Sequence, residues 1–205
     1  MQKKLAWIGL IMGLVGLALL TGGCRPLAPA YEYSGTVYDP PQPVPDFELA
    51  DTQGRPFHLS ELDGDITLIY FGYTFCPDVC PLTMVDIKNA LAGLNTGRER
   101  VHVLFVSVDP ERDTPEVLSR YLAAFDPSFI GLTDNFEKTQ DMMKPFGAFT
   151  EHEDVAGSAA EYLVSHTARL YVVGPQREIL LTYPFEFETE ALRRDLEHLI
   201  QMLES

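Results

Sequence analysis

Apolar positions recur along this chain with two different periods, and the changes of period mark out its elements. Residues 66–72 (I-T-L-I-Y-F-G) form a nearly continuous β-favouring run, as expected of a strand buried on both faces. After it, Leu82, Val85, Ala90, Leu91 and Leu94 fall at helical spacing and stop before Asn95-Thr96-Gly97, which predicts a helix with a C-terminal stop. Pro81 lacks an N–H that a helix begun at Cys76 would use in its second turn, so the expected start is Pro81, with Cys80 as the cap. Residues 101–108 predict a second buried strand. Thr114-Pro115-Glu116 opens a capped helix through Phe125. Residues 129–132 suit a short third strand, and 135–146 a helix interrupted at Pro145.

Two further patterns close the chain. Residues 167–173 and 178–183 surround Gly174-Pro175-Gln176-Arg177 as a hairpin, and 188–203 form a charged amphipathic helix. Upstream, residues 47–49 and 57–59 flank the turn Asp51-Thr52-Gln53-Gly54 and predict a short hairpin. Strands alternating with helices, finished by an antiparallel hairpin and a helix, predict an α/β fold with a mixed central sheet flanked by helices.

The N-terminus follows another logic. Met1-Gln2-Lys3-Lys4 precedes an uncharged, largely apolar run over residues 5–23, the basic and apolar regions of an export signal. The run ends at Thr21-Gly22-Gly23-Cys24, which resembles a bacterial lipobox and makes Cys24 the expected lipidation site. Thr21 stands where a lipobox usually has Leu, with Leu20 one place further back. The alternative is an uncleaved anchor, since about 20 apolar residues can span a bilayer. Both place the rest of the chain in the bacterial periplasm or on the outer face of the cell membrane, tethered to it. Residues 25–45 are rich in proline, tyrosine and small residues without any period and read as an extended linker. The expected division is 1–24 signal and anchor, 25–45 linker, and 46–205 one folded domain.

Composition narrows the function. A chain of 205 residues, 46% of them hydrophobic, suits one packed domain beside a targeting segment. A formal charge of −15 opposes binding to nucleic acid or to anionic lipid headgroups and suits basic partners or cations. With no heptad pattern, a monomer is the expected state.

Anchoring accounts for one of three cysteines, and Cys76 and Cys80 remain as a close pair between the first buried strand and its helix. A structural disulfide is the ordinary reading of a pair in an exported protein. A bridge closing so short a loop would constrain the unfolded chain little. At a helix N-terminus, free N–H groups and the dipole favour the thiolate, the form that binds metal or attacks a disulfide. Soft thiolates select soft cations such as Cu(I), whereas structural zinc asks for four ligands and no second cysteine pair is present. Five histidines could complete such a site. His58, His102 and His198 fall in a hairpin, a buried strand and the last helix and read as structural; His152 falls in an acidic stretch, 150–160, that reads as a mobile loop. His166 precedes an alternating strand, where a side chain can be held rigidly, yet taken alone it is more often structural than a ligand.

These residues also carry a resemblance. Gly72-Tyr73-Thr74-Phe75-Cys76-Pro77-Asp78-Val79-Cys80-Pro81, then Val108-Asp109-Pro110-Glu111-Arg112-Asp113-Thr114-Pro115, then Tyr162-Leu163-Val164-Ser165-His166 followed by Leu170-Tyr171-Val172-Val173-Gly174-Pro175 resemble the Sco/SenC family of copper proteins over the whole body of the chain. The resemblance implies a thioredoxin-like fold and a copper site, Cu(I) or Cu(II), made by Cys76, Cys80 and His166. It also implies a role in building the CuA centre of cytochrome c oxidase, so that a copper-accepting oxidase subunit becomes the expected partner. The family often has Asp before the histidine, where this chain has Ser165, a change expected to tune the imidazole. Asp78 could bond backbone N–H groups of the cysteine loop, and Asp109, Arg112 and Asp113 could support it from the neighbouring strand.

A copper metallochaperone is the first functional reading. A thiol–disulfide oxidoreductase that reduces an oxidase subunit, drawing on a thiol reductant, is the second, although the usual redox spacing is C-x-x-C. A peroxiredoxin-like peroxidase and an inert structural disulfide are weaker alternatives.

Overall fold

The chain's computed structural model describes residues 30–154 and 162–205, so Cys24 and the expected export signal lie outside the described residues. The central sheet has six strands in the order β1-β10-β9-β4-β5-β6. Its middle is β4 (Ile66–Gly72), every residue of which is buried, paired in parallel with β5 (Val101–Ser107). β6 (Ile130–Leu132) extends the parallel half beyond β5. On the other side β9 (Arg169–Val173) runs antiparallel to β4, and β10 (Glu178–Pro184) antiparallel to β9. Among the described residues four α-helices accompany the sheet: α1 (Val79–Ala92), α2 (Pro115–Ala123), α3 (Phe136–Met143) and α4 (Thr189–Leu203). α1 packs on α4, and α2 on β6. The mixed α/β architecture read from the periodicity is the one observed.

Where the structure departs from that reading, the causes are local. α1 starts at Val79 with Asp78 in the cap position, two residues before Pro81. The first backbone N–H groups of a helix have no intrahelical acceptor, so Pro81 in the first turn forfeits nothing. The first bond of the ladder, Leu82 N–H to the Asp78 carbonyl, forms one residue after it at 3.3 Å.

Part of the stretch read as linker is a strand, β1 (Thr36–Pro43), antiparallel to β10 at the sheet's edge. It carries no period-2 signal because almost all of it is exposed, and its prolines are tolerated because an edge strand needs only one row of N–H donors. Tyr33–Ser205 fold as one unit, and the clamp at its start is Asp195 of α4, buried, which accepts from the N–H groups of Ser34 and Gly35 at 2.8 and 3.0 Å and from the Tyr183 hydroxyl.

The segment read as a mobile acidic loop also begins as a strand. β7 (Thr150–Asp154) pairs antiparallel with β8 (Tyr162–His166), so His166 is the last residue of a strand and not the lead-in to the next one. The short hairpin of β2 (Glu48–Ala50) and β3 (Pro56–His58) is as the turn residues predict. Among the described residues no helix is long and apolar enough to cross a membrane.

Candidate metal centre

β4 ends at Gly72, and the absence of a side chain there is required: a Cβ would lie 2.8 Å from the Tyr70 ring and 2.9 Å from that of Phe105. The chain then turns through residues 73–78, with Cys76 N–H on the Tyr73 carbonyl at 3.2 Å, and enters α1. This delivers Cys80 into the core with no exposed surface, while Cys76 stays partly exposed above it. Both are free thiols. The Cys80 N–H points at Cys76 Sγ at 3.4 Å, and the Tyr70 hydroxyl donates to Cys80 Sγ at 3.7 Å.

β8 brings in the imidazole. His166 Nε2 is 3.5 Å from Cys80 Sγ, and the ring is wedged edge-on between Tyr70 and Tyr73, with centroids 6.2 and 5.8 Å away. Its other nitrogen, Nδ1, is buried and has no hydrogen-bond partner among the described residues. The three residues singled out in the sequence therefore meet at one point, across a sequence separation of 86 residues between Cys80 and His166. A cleft of about 300 Å³ opens over them, with Tyr73, Cys76, Val79, Val164, Ser165 and His166 among its lining residues. Cys80 is not in its wall, so anything entering meets Cys76 and His166 first. A larger hollow of about 390 Å³, beside residues 44–49 and Pro145, presents no thiol or imidazole.

The two sulfurs share one proton unequally. A hydrogen bond from the Cys80 thiol, opposed by burial and helped by His166 and the backbone N–H groups of Asp78 and Cys80, pulls Cys76 down to about 3. The same bond and complete burial push Cys80 well above the ordinary thiol range. The pair thus loses its first proton readily and its second with difficulty, as two strongly interacting groups do. Burial and the neighbouring Cys76 charge push Tyr73 up to about 12.

The loop is held from β5 and the turn that follows it. Asp113, fully buried, accepts from the Thr74 hydroxyl at 2.6 Å, the Thr74 N–H at 3.0 Å and the Ser107 hydroxyl at 2.7 Å. Burial raises its carboxyl above the usual range although these bonds oppose the shift. Arg112 pairs with the buried Asp109 and lays its guanidinium over the rings of Tyr73 and Phe75, 5.8 and 5.2 Å from their centres. The segment 108–115 thus braces the cysteine loop, and the acidic and basic residues alone did not say to what they would bond. Asp78 caps by position but its side chain makes no capping bond. His58 lies near Asp46 and Glu48, His102 bonds Asp65 at 2.9 Å, and His198 packs on the Tyr33 ring; none of the three joins the site. The side chain of His152 lies outside what the structure describes.

Two soft sulfurs and an imidazole suit a thiophilic first-row cation. Cys80 Sγ and His166 Nε2, 3.5 Å apart, are close enough to be shared by one ion. Among the described residues the donors do not already form a closed cage of three or more ligating side chains, so taking up an ion entails a closing movement of the donors.

Residues 37–201 match the SCO1/SenC family. The SCO2-like protein of Rickettsia felis is 34% identical over 171 residues, 83% of each chain. Among solved structures, apo Sco1 from Thermus thermophilus superposes with a TM-score of 0.73 at 41% identity, covering 85% of this chain and 99% of that one. ScoI of Bradyrhizobium japonicum, solved with copper bound, superposes with a TM-score of 0.68 at 30% identity, covering 77% and 99%. Its motifs, its thioredoxin-like architecture and these matches over most of its length make this chain a member of the SCO1/SenC family.

Proposed function

We propose that this protein is a copper metallochaperone that holds the ion through Cys76, Cys80 and His166 and passes it to the CuA-bearing subunit of cytochrome c oxidase on the outer side of the membrane, to which Cys24 tethers it. The observation that carries the reading is the convergence of Cys80 Sγ and His166 Nε2 at 3.5 Å beneath a partly exposed Cys76. A relative of this fold with copper bound supports the choice of metal, and the Sco family's place among cytochrome c oxidase assembly proteins supports the choice of acceptor.

Copper is the cargo, and the asymmetry of burial suits its transfer. Cys76 is already a thiolate at neutral pH and lies at the mouth, so a thiolate of the acceptor displaces it first; Cys80, buried behind, is the last ligand to let go. Each exchange replaces one soft donor by another, so the ion changes hands without being released into water and without changing oxidation state. The acceptor then holds the ion, and a proton returns to the thiol pair.

The test is copper stoichiometry on the purified, reduced protein. One ion per chain is expected, with Cys76→Ala and His166→Ala each binding it much more weakly; full binding by His166→Ala would remove the third ligand. A second reading, reduction of a partner's disulfide, is favoured by the low proton affinity of Cys76 beside a protonated Cys80, the pairing a thiol–disulfide exchange uses. In that case reduction proceeds in the absence of copper and survives His166→Ala.

A further inference from the structure

The β7–β8 hairpin holds two buried polar atoms that have no hydrogen-bond partner among the described residues, Nδ1 of His166 and Oγ1 of Thr150. They are not independent. Thr150 and His166 stand directly opposite each other in the antiparallel register, and such a pair sends both side chains to one face with Cβ atoms about 5 Å apart. One can supply a hydrogen and the other can accept it. Their end of the ribbon is fixed just beyond them, where Thr167 N–H bonds the Phe149 carbonyl at 3.0 Å and Phe149 N–H bonds the Thr167 hydroxyl at 3.1 Å.

We infer that, once Nε2 holds an ion, the Thr150 hydroxyl is the acceptor for the Nδ1 hydrogen of His166, and that Thr150 is thereby a positioning residue that holds the imidazole in its ligating tautomer. The inference rests on His166 being a metal ligand. Nε2 is the nitrogen that faces Cys80, and a neutral imidazole can offer it to an ion only when the hydrogen sits on Nδ1. Ligating histidines nearly always give that other hydrogen to an oxygen acceptor.

Ser165 is paired with Glu151, one position out of phase with the Thr150–His166 pair, and lines the same cleft as His166. Thr150 is the residue directly across the ribbon from the imidazole.

Thr150→Val removes the hydroxyl and keeps the branched shape, while Thr150→Ser keeps the hydroxyl. Two readouts on the Cu(I)-loaded protein decide: Cu(I) affinity by chelator competition, and solvent exchange of the His166 Nδ1 hydrogen by nitrogen-15 NMR. Thr150→Val is expected to weaken Cu(I) binding about 10-fold, the lower range for loss of a partner behind a metal ligand, and to speed that exchange. Thr150→Ser stays at the wild-type values in both. Wild-type affinity and wild-type exchange in Thr150→Val overturn the inference. If His166→Ala binds copper normally, the ligand reading itself fails, a result distinct from an unchanged Thr150→Val in a protein that needs His166. Should Thr150→Val not fold, an Nδ1 hydrogen that exchanges freely in the loaded wild type overturns the inference.

Discussion

The thiol side and the imidazole side of the site are built in opposite ways. Cys80 sits in the core at the start of a helix, and the loop before it is pinned by the buried Asp113, which accepts from the Thr74 N–H and hydroxyl and is itself held by Ser107 of β5, and by Arg112 across two rings. His166 sits at the end of a two-stranded ribbon that shares no ladder with the central sheet, held there by the edges of Tyr70 and Tyr73 and by the buried Val164. A two-stranded ribbon is marginal on its own and takes its order from what it packs against. The contrast teaches that the buried sulfur of Cys80 is preorganised while the imidazole can shift at modest cost. A protein that must give its ion away needs one side that holds and one side that yields.

The largest effect follows directly. Cys80→Ser leaves the shape of the core nearly unchanged but exchanges the buried soft ligand for a hard one. Cu(I) affinity is expected to fall more than about 100-fold, beyond what disturbance behind a ligand causes, and further than in His166→Ala. Chelator competition on the two variants measures both. An equal loss would mean that the imidazole side is as rigidly built as the thiol side, and the contrast would not stand.

Next comes the brace. Asp113→Ala removes the acceptor shared by the half-buried Thr74 N–H and hydroxyl and the buried Ser107 hydroxyl, and since an unsatisfied buried group costs about 1–3 kcal/mol, a stability loss of about 3 kcal/mol is expected in urea unfolding. Copper affinity should drop with it, because Thr74 lies two residues before Cys76. Asp113→Asn, able to accept from some of the same donors, should lose less of both. If Asp113→Ala unfolds at the wild-type midpoint, the loop is held by Arg112 and the rings instead.

How much of this was legible in the sequence follows from which interactions are local. β4, β5, α2 and the β9–β10 hairpin were visible because burial on one or both faces imposes a period, and the thiols were visible because a close cysteine pair at a strand end has few other uses. β1 was not, since an exposed edge strand with three prolines carries no period. β7 was hidden for a related reason, its T-E-H-E-D sequence being polar throughout. The role of Asp113 depended on Thr74, 39 positions away, and that of Thr150 depended on the register of β7 against β8. Neither follows from spacing. His166 was reached through the resemblance, because nothing local distinguishes a histidine that ends one strand from one that begins another.

The smallest expected effect lies at the other end of β4 and marks where the site stops. Asp65 precedes β4, bonding His102 at 2.9 Å and the Arg100 guanidinium. Burial works to raise its carboxyl, but the hydrogen bonds from His102 and Arg100 outweigh it and hold the group below the usual carboxylate range. A carboxyl lowered in the folded state stabilises the fold above its unfolded value of about 3.9, and that contribution fades as the pH falls from there through the lower folded value. Because the pair is partly exposed, the contribution at pH 7 should stay within about 1 kcal/mol. Asp65→Asn should therefore unfold slightly earlier than the wild type in urea at pH 7, and the difference should shrink toward zero near pH 2. Its Cu(I) affinity should be unchanged, since β4 separates Asp65 from the cysteine loop by about 20 Å of strand. An affinity that moved with Asp65→Asn would show the sheet transmitting strain along its length, and the thiol side could then no longer be treated as braced only by its own neighbours.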